Sequence, residues 1–461
     1  MDIWCFLIWK VINYYKGYWS LTCPFWLFLQ PKKAVPIGYK NMKIKVGVFF
    51  GGESVEHEIS VITMSQAISS LNPEKYEIVP IYIAKNAVMY TGDDLLDLYS
   101  FKDMDVLLKR CYKVAVVNDG ESVKVVRCPA PLIGKRVINT IDVAFPIVHG
   151  TNCEDGTLAG FLNLLRIPVV GPDILASSIG MDKIIQKKVL KESGIPVVDS
   201  VSFYSMEYVK DEEKILKEIN EKLEYPLIVK PGNLGSSVGI RKVKNKSELE
   251  EAIEFSMEFS DRILVEKAVE NLKEINCSVI GNLAEGEASV CEEAFFTDEI
   301  LSYENKYIGD GKTKGGTITG GKGTNIKLGS KNTPTKTGAN NGFSNKKIPA
   351  EISEEKTKEI QNLSKEVFKI LGCSGVARID FLMDTKENKV YVNEINEIPG
   401  ALSYYLWEAS GKSFEQELDE IIDIAIKRHR DKEKLTFSYD QNILAMQGGV
   451  KGCKGTKSIK K

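Results

Sequence analysis

Val376-Ala-Arg-Ile-Asp-Phe-Leu-Met383 and Lys389-Val-Tyr-Val-Asn-Glu-Ile-Asn396 read as two strands joined through Asp384–Asn388. Side chains alternate along a strand, so Arg378 and Asp380 share one face, and Glu394 and Asn396 share a face of the next strand. With Asp380 opposite Glu394, all four converge, because opposed residues in a hairpin lie on the same side. Two carboxylates and an amide oxygen are hard donors suited to Mg²⁺, which completes its shell with phosphates and water. A one-residue slip would turn Asp380 to the other side. The apolar Val376, Ala377, Ile379 and Phe381 argue against a merely solvated charged face. The second run continues into Glu397-Ile-Pro-Gly400, and the Gly400 N–H is a candidate donor to a developing oxyanion.

Upstream, Leu227–Lys230 reads as a strand entering the glycine-rich turn Lys230-Pro-Gly-Asn-Leu-Gly-Ser-Ser-Val-Gly239, and Gly239–Val243 returns as another. Small residues let backbone N–H groups approach an anion, and Lys230 adds a point charge, so the turn suits phosphate. Ser247–Phe259 reads as an amphipathic helix and Ile263–Glu266 as a strand. A helix capped by Ser353 is expected to run to Leu371 and stop at Gly372.

Nearer the start, Lys43–Phe50 (KIKVGVFF) reads as a buried parallel strand stopped by Gly51-Gly52. A helical stripe over Ser60–Leu71 and a strand over Tyr76–Ile83 follow, so a doubly wound α/β sheet is expected, with its ligand edge at Gly51–Glu58. Val143–Val148, ending at His149-Gly150, and Val169–Gly171 are expected as further strands. Asp182–Ser193 is expected as a helix.

The whole chain of 461 residues suggests about three units at roughly 150 residues each. Its 61 Lys+Arg against 63 Asp+Glu leave a net charge of −2, with no basic field to suggest a nucleic-acid partner. Nine scattered cysteines without C-x-x-C fit a reducing cytoplasm better than a disulfide framework or structural zinc. Four of the five tryptophans fall in the first 26 residues. Neither apolar run there reaches the ~18–20 residues that span a bilayer, so no stable membrane insertion is expected. Residues 1–42 are therefore read as a leader outside the fold. Between Tyr307 and Ile348 the pattern collapses: Gly309–Lys347 has ten Gly and eight Lys against one acid, a local net charge of +7. It is expected as a structureless surface insertion.

Eight short motifs in order resemble the D-alanine–D-alanine ligase family of the ATP-grasp superfamily, over Lys43–Ile308 and again over Ile348–Ile426. They are Gly51-Gly-Glu-Ser-Val-Glu-His-Glu-Ile-Ser60, His149-Gly-Thr-Asn-Cys-Glu-Asp-Gly156, Met181-Asp-Lys183, Lys230–Gly239, Glu266-Lys267, Lys306-Tyr307, Ala377-Arg-Ile-Asp380 and Asn393-Glu-Ile-Asn-Glu-Ile-Pro-Gly400. The resemblance implies an ATP-grasp fold, with an N-terminal doubly wound domain (43–182) and two α+β lobes (183–274 and 275–435) clamping ATP. The 309–347 insertion falls in the last lobe, and 436–461 is a basic tail.

The resemblance further implies an enzyme that activates the carboxylate of a first D-alanine with ATP and joins it to the amine of a second, in a cytoplasmic homodimer supplying peptidoglycan precursors. It places Lys183, Lys230, Ser236 and Ser237 on the ATP phosphates, Glu266 and Lys267 at the adenine, and Glu274 at the ribose. Asp380, Glu394 and Asn396 would hold two Mg²⁺ ions, with Mn²⁺ as an alternative. Arg378 and Gly400 would stabilise the oxyanion, and Lys306 would contact the transferred phosphoryl group. Glu56 would bind the first ammonium, linked through Ser236 to Tyr307, with His149 nearby. Three departures stand out: Cys153 in place of the usual glycine, the long insertion, and Tyr405 where many relatives carry a small hydroxyl residue. Ser403, Tyr405 and Leu406 are the candidates for the acceptor, whose identity stays open between D-alanine, D-serine and another acceptor. Tyr307 favours an amine nucleophile over a hydroxy acid. A dinucleotide-dependent oxidoreductase fits poorly, since no G-x-G-x-x-G follows the first strand.

Overall fold

The computed structural model describes residues 43–235, 238–295 and 346–439, and the backbone of 317–320 and 324–327. Ser236, Ser237, Lys306, Tyr307, the leader and the tail from 440 lie outside the described residues. The chain divides into two units, Met1–Met42 and Lys43–Lys461, and all described residues belong to the second.

The first sheet contains β1 (Ile44–Gly51), β2 (Tyr76–Ile83), β3 (Met89–Thr91), β4 (Tyr112–Asn118), β5 (Val123–Arg127), β6 (Val137–Ile141) and β7 (Val143–Val148), with α1 (His57–Ser70) and α2 (Met104–Arg110) between strands. Its order is β6-β5-β4-β3-β2-β1-β7. β1 pairs in parallel with β2 and β7, and every residue of β7 is buried. Such continuous apolar runs belong to strands covered on both faces. Gly51 stands opposite both Ile83 and Val148, so the three strands end at one edge. The chain leaves β1 toward β2 on one side and returns as β7 on the other, which makes the C-terminal end of β1 a switch point and a natural crevice.

The strand expected at Val169–Gly171 is a single parallel bridge between Val169 and Ala144. Gly171 turns into the left-handed region (φ +99°) just before Pro172, so the pairing stops after one rung. The antiparallel extension β3–β6 is likewise an addition to the expected doubly wound core.

After α3 (Thr157–Leu164), α4 (Ile174–Met181) and α5 (Lys183–Glu192), the second sheet is antiparallel, in the order β10-β9-β11-β8. Its strands are β8 (Ser200–Tyr204), β9 (Leu227–Pro231), β10 (Arg241–Val243) and β11 (Arg262–Lys267), with α6 (Ser205–Lys210), α7 (Glu212–Lys222) and α8 (Lys246–Met257). Leu227, Val229, Ile263 and Val265 bury one face against Leu216 and Ile219 of α7 and Leu249 and Ile253 of α8.

The third sheet, β16-β13-β12-β17-β18, is also antiparallel. It comprises β12 (Leu272–Gly281), β13 (Gly286–Ala294), β16 (Lys346–Lys347), β17 (Gly375–Asp384) and β18 (Lys389–Asn396), while β14 (Thr317–Gly320) and β15 (Thr324–Lys327) pair only with each other. Ile275, Cys277, Val279, Ile379 and Phe381 pack on Val367 and Phe368 of α9 (Glu354–Ile370). The Ser353 hydroxyl caps α9 by accepting from Lys356 N at 3.2 Å. The insertion is thus not structureless throughout. Its β-branched Thr-Ile-Thr and Thr-Asn-Ile runs pair as an antiparallel ribbon, and Lys346-Lys347 add an edge to β13.

The last helices among the described residues are α10 (Tyr404–Ala409) and α11 (Phe414–Lys432). Leu418, Ile421, Ile422 and Ala425 of α11 join the core of the first sheet, as does the fully buried Trp407. Among the described residues no helix is long and apolar enough to cross a membrane.

Candidate active site

The crevice at the end of β1 opens with Gly51 and Gly52, both at positive φ (92° and 102°), a conformation that a side chain would strain. Gly51 N donates to the Ser60 hydroxyl at 2.7 Å, and that hydroxyl donates to Ile147 O at 2.5 Å, which stitches β1 and β7 to α1. Glu56 precedes α1, and its carboxylate lies against two glycines. A Cβ on Gly150 or Gly235 would stand only 3.0 or 3.1 Å from Glu56 Oε2. Glu56, the His149-Gly150 loop and the glycine-rich turn therefore meet at one point, as the motif order implies.

His149 is buried, and burial pulls its pKa down to about 4 against a hydrogen bond with the Ile398 backbone. Ala401 N donates to the Thr63 hydroxyl at 3.3 Å, and that hydroxyl lies 3.1 Å from His149 Nε2. A hydroxyl donating to Nε2 leaves the proton on Nδ1. Glu154 accepts from Gly150 N at 3.0 Å and Ile398 N at 3.2 Å. Burial, reinforced by Glu56, pushes its carboxyl up to about 8. Burial and then Glu154 likewise raise the neighbouring Glu397, whose carboxyl lies directly against Gly180. Thr63, His149 and Glu154 thereby fasten the first sheet to the segment following β18.

At the second sheet, the Asp182 carboxylate caps α5 through Ile184 N and Ile185 N, both at 3.0 Å, and pairs with Arg262. Lys183 N donates to Gly232 O at 2.7 Å, and Lys183 Nζ reaches Leu234 O at 2.9 Å and Glu394 Oε2 at 3.2 Å. Lys230 and Lys187 straddle Glu266 at 2.6 and 2.7 Å, all three buried. Burial pushes Glu266 up, but the two ammonium groups outweigh it and hold the carboxyl below its ordinary value. Lys230 also reaches Asn393 Oδ1 at 3.3 Å. Lys267 does not join this group: alternation turns it outward, with Glu224 at 3.9 Å.

The third sheet carries the expected register. Asp380 stands opposite Glu394 and Arg378 opposite Asn396, with a bulge only beyond Asp380. Arg378 grips Asp380 bidentately at 2.7 and 2.8 Å, and Asn396 Nδ2 donates to Asp380 Oδ2 at 3.1 Å. Burial pulls the Arg378 guanidinium down, but Asp380 outweighs it and holds it well above its ordinary value. The polar row continues across the sheet, since Asn276 is opposite both Asp380 and Glu292. Glu274, two residues before Asn276, shares its face. Among the described residues no three His, Cys, Asp or Glu side chains form a metal cluster. The donor set is two carboxylates and an amide, hard oxygen donors that fit an ion sharing its shell with phosphate.

At the far end, Ala401, Leu402 and Ser403 all take left-handed φ of 53°, 53° and 58°. Three such non-glycine residues in succession cost roughly 1–2 kcal/mol each. Ser403 Oγ is buried with no partner among the described residues, and Leu406 is fully buried. The Tyr405 hydroxyl accepts from Lys346 Nζ at 3.0 Å. Sequence reasoning passed over Lys187, Thr63, Glu154, Glu292 and Lys346. Lys187 was signalled by its i+4 spacing from Lys183 on one helix face, and Glu154 lay inside a quoted motif. Nothing local marked Thr63, Glu292 or Lys346.

Comparison with known proteins fits this arrangement. The D-ala D-ala ligase N-terminus family model matches residues 45–172, and the D-ala D-ala ligase C-terminus model matches 189–319 and 335–423. A D-alanine–D-alanine ligase of Thermosipho melanesiensis is 40% identical over 409 residues, 88% of this chain and 99% of its own length. One from Thermoanaerobacter pseudethanolicus is 37% identical over 399 residues, 85% of this chain and 98% of its own. Among solved structures, the D-alanine–D-alanine ligase of Coxiella burnetii superposes with a TM-score of 0.66 at 30% identity, over 85% of this chain and 96% of that one. A D-Ala:D-Ser ligase from Enterococcus faecalis superposes at 0.65 and 30%, over 83% and 100%. The chain belongs to the D-alanine–D-alanine ligase family and has its ATP-grasp fold.

Proposed function

We propose that the protein joins two D-alanines at the expense of ATP, to supply a peptidoglycan precursor. The observation that carries the reading is the Asp380–Glu394 and Arg378–Asn396 register, facing Lys183 in a chain of this family. A first D-alanine carboxylate oxygen attacks the γ-phosphorus of ATP, giving D-alanyl phosphate and ADP. The amine of a second D-alanine then attacks the acyl carbon, loses a proton, and expels phosphate from the tetrahedral intermediate as the peptide forms. Such chemistry needs positioning and charge neutralisation more than covalent help.

Lys183 and Lys230 would hold the phosphates together with the Ser236-Ser237 turn. The backbone around Glu266 and Lys267 would face the adenine and Glu274 the ribose. Glu56 would take the first ammonium, with His149, Ser236, Tyr307 and Lys306 around the donor. Arg378 and Gly400 N–H would meet the oxyanion. Asp380, Glu394 and Asn396 would hold Mg²⁺ (two ions, replaceable by Mn²⁺), which when bound neutralises negative charge on the phosphates. Glu266 is already paired with Lys187 and Lys230, so its side chain acts on ATP through those lysines. The proposed division is 43–182, 183–274 and 275–435, in a cytoplasmic homodimer.

Phosphate release with ATP and D-alanine alone, then with D-serine or D-lactate added, tests the reading on the full chain and on a chain beginning at Met42. Turnover with D-alanine alone is expected from both. Release only after D-serine is added would move the assignment to the rival acceptor, and no release at all would overturn ligation.

A further inference from the structure

Lys346 and Lys347 form the two-residue edge strand β16, where Lys347 is opposite Glu293 and Lys346 opposite Ala294. Alternation sends them to opposite faces. Lys347 pairs with Glu351 in a half-exposed position. Lys346 turns onto the face that carries Asp380, and its side chain is only 5% exposed. There its ammonium meets Glu292 at 2.9 and 3.1 Å, donates to the Tyr405 hydroxyl at 3.0 Å, and lies 4.1 Å from the centre of the Tyr405 ring.

Glu292 is wholly buried and also accepts from Asn276 Nδ2 at 2.7 Å, so the contact continues along the row to Asp380. Burial holds the Tyr405 phenol well above its ordinary range, the nearby Glu292 adds to that, and Arg378 opposes it. A phenol whose oxygen accepts from Lys346 and whose ring faces the same ammonium is held at both points. Burying an ammonium and a carboxylate for a two-residue strand is a poor source of stability, since apolar side chains of similar volume do at least as well. What the ion pair does supply is direction: it fixes where the phenol stands.

We infer that Lys346 is a positioning residue for the acceptor: it orients Tyr405 through hydroxyl and ring, and so shapes the subsite that receives the second, carboxylate-bearing amino acid. This rests on the ligase reading above. Tyr405 occupies the position that the resemblance assigns to acceptor binding, in the first turn of α10 just after the strained Ala401–Ser403 segment. Held by Lys346 at its hydroxyl and its ring, the phenol acts there as a fixed wall of the subsite. Ser403 Oγ, buried and unpartnered among the described residues, offers a hydroxyl that can donate to the carboxylate.

Steady-state kinetics with ATP and D-alanine separate the Michaelis constants of the first and second D-alanine, and a Lys346→Met, Tyr405→Phe and double-variant cycle isolates the contact. Turnover by the unsubstituted chain secures the ligase reading independently of the cycle. Each single variant is expected to raise the second constant by about tenfold, with the constants for ATP and the first D-alanine changed less than twofold. The double variant is expected to add little, because both remove the same contact. Lys346→Arg should recover part of the loss. Thermal unfolding of each variant distinguishes a folding defect. If Lys346→Met does not fold, Tyr405→Phe and Lys346→Arg carry the comparison. An unchanged second constant, a uniform rise in all three, or fully additive effects would overturn the inference.

Discussion

Glu154 and His149 lie a few residues apart in one loop, and burial pushes them in opposite directions. The Glu154 carboxyl moves from 4.5 to about 8, so the folded chain holds a proton there that the unfolded chain has lost. Its contribution to stability is fully present below pH 4.5 and is lost as pH rises through 8. His149 moves from 6.5 to about 4, so its contribution is present above 6.5 and is lost as pH falls toward 4. Between pH 6.5 and 8 only Glu154 of the two contributes a slope, worth about 2 kcal/mol at 1.4 kcal/mol per pH unit. Urea unfolding at both pH values should show that loss in the unsubstituted protein and a smaller one in Glu154→Gln. An undiminished loss in the variant would put the proton elsewhere. Glu394 poses a different residue-scale test. Its side chain is 23% exposed and pairs with Lys183 at 3.2 Å. Glu394→Ala should lower phosphate release by at least about a hundredfold with the melting temperature nearly unchanged, and full activity would refute the metal assignment.

Among the elements, β17–β18 was the most legible. Its apolar positions dictate which face is buried, and only one register places Ile379 and Phe381 inward with Asp380 opposite Glu394. The start of α9 was legible too, because Ser353 caps it with its own side chain, and Asp182 and Asn245 cap α5 and α8 in the same way. The strand at Val169 was misread because a short β-branched run says nothing about how many rungs its flanks allow. β16 was missed because two lysines carry no strand signal; their pairing depends on Glu292 and Glu293 in a distant strand. Trp407 in α10 belongs to this scale as well. It is fully buried, its Nε1 donates to Ser278 Oγ at 3.1 Å, and the Lys412 ammonium lies 4.7 Å from its ring. Trp407→Phe removes volume and that hydrogen bond, and should cost about 1–3 kcal/mol in urea unfolding. A change near zero would mean that the site repacks without loss.

At the scale of the molecule, α11 completes the core of the first sheet. Leu418, Ile421 and Ile422 of α11 share a core with Val46, Val48 and Phe145, Arg428 donates to Val169 O at 2.8 Å, and Lys75 pairs with Asp419. Residues 43–182 are therefore not expected to fold cooperatively alone. Leu418→Ala should lower stability by about 2–5 kcal/mol and speed amide exchange in β1 and β7. Protection of those strands in a chain ending at Ser410 would show the first sheet to be independent.

The sequence alone determined the motifs, the strand–helix–strand opening, the faces of the hairpin and the family they resemble. These rest on periodicity and on contacts between near neighbours, which the order of residues encodes directly. Only the tertiary structure decided that Lys187 shares Glu266 with Lys230, that Glu154 ties Gly150 to Ile398, and that Lys346 holds Tyr405. Each joins segments far apart in the chain, and a local pattern does not fix which distant group a buried charge or proton will meet. The physical cause is desolvation: such a group keeps its charge or proton only because the fold brings a counter-group to it.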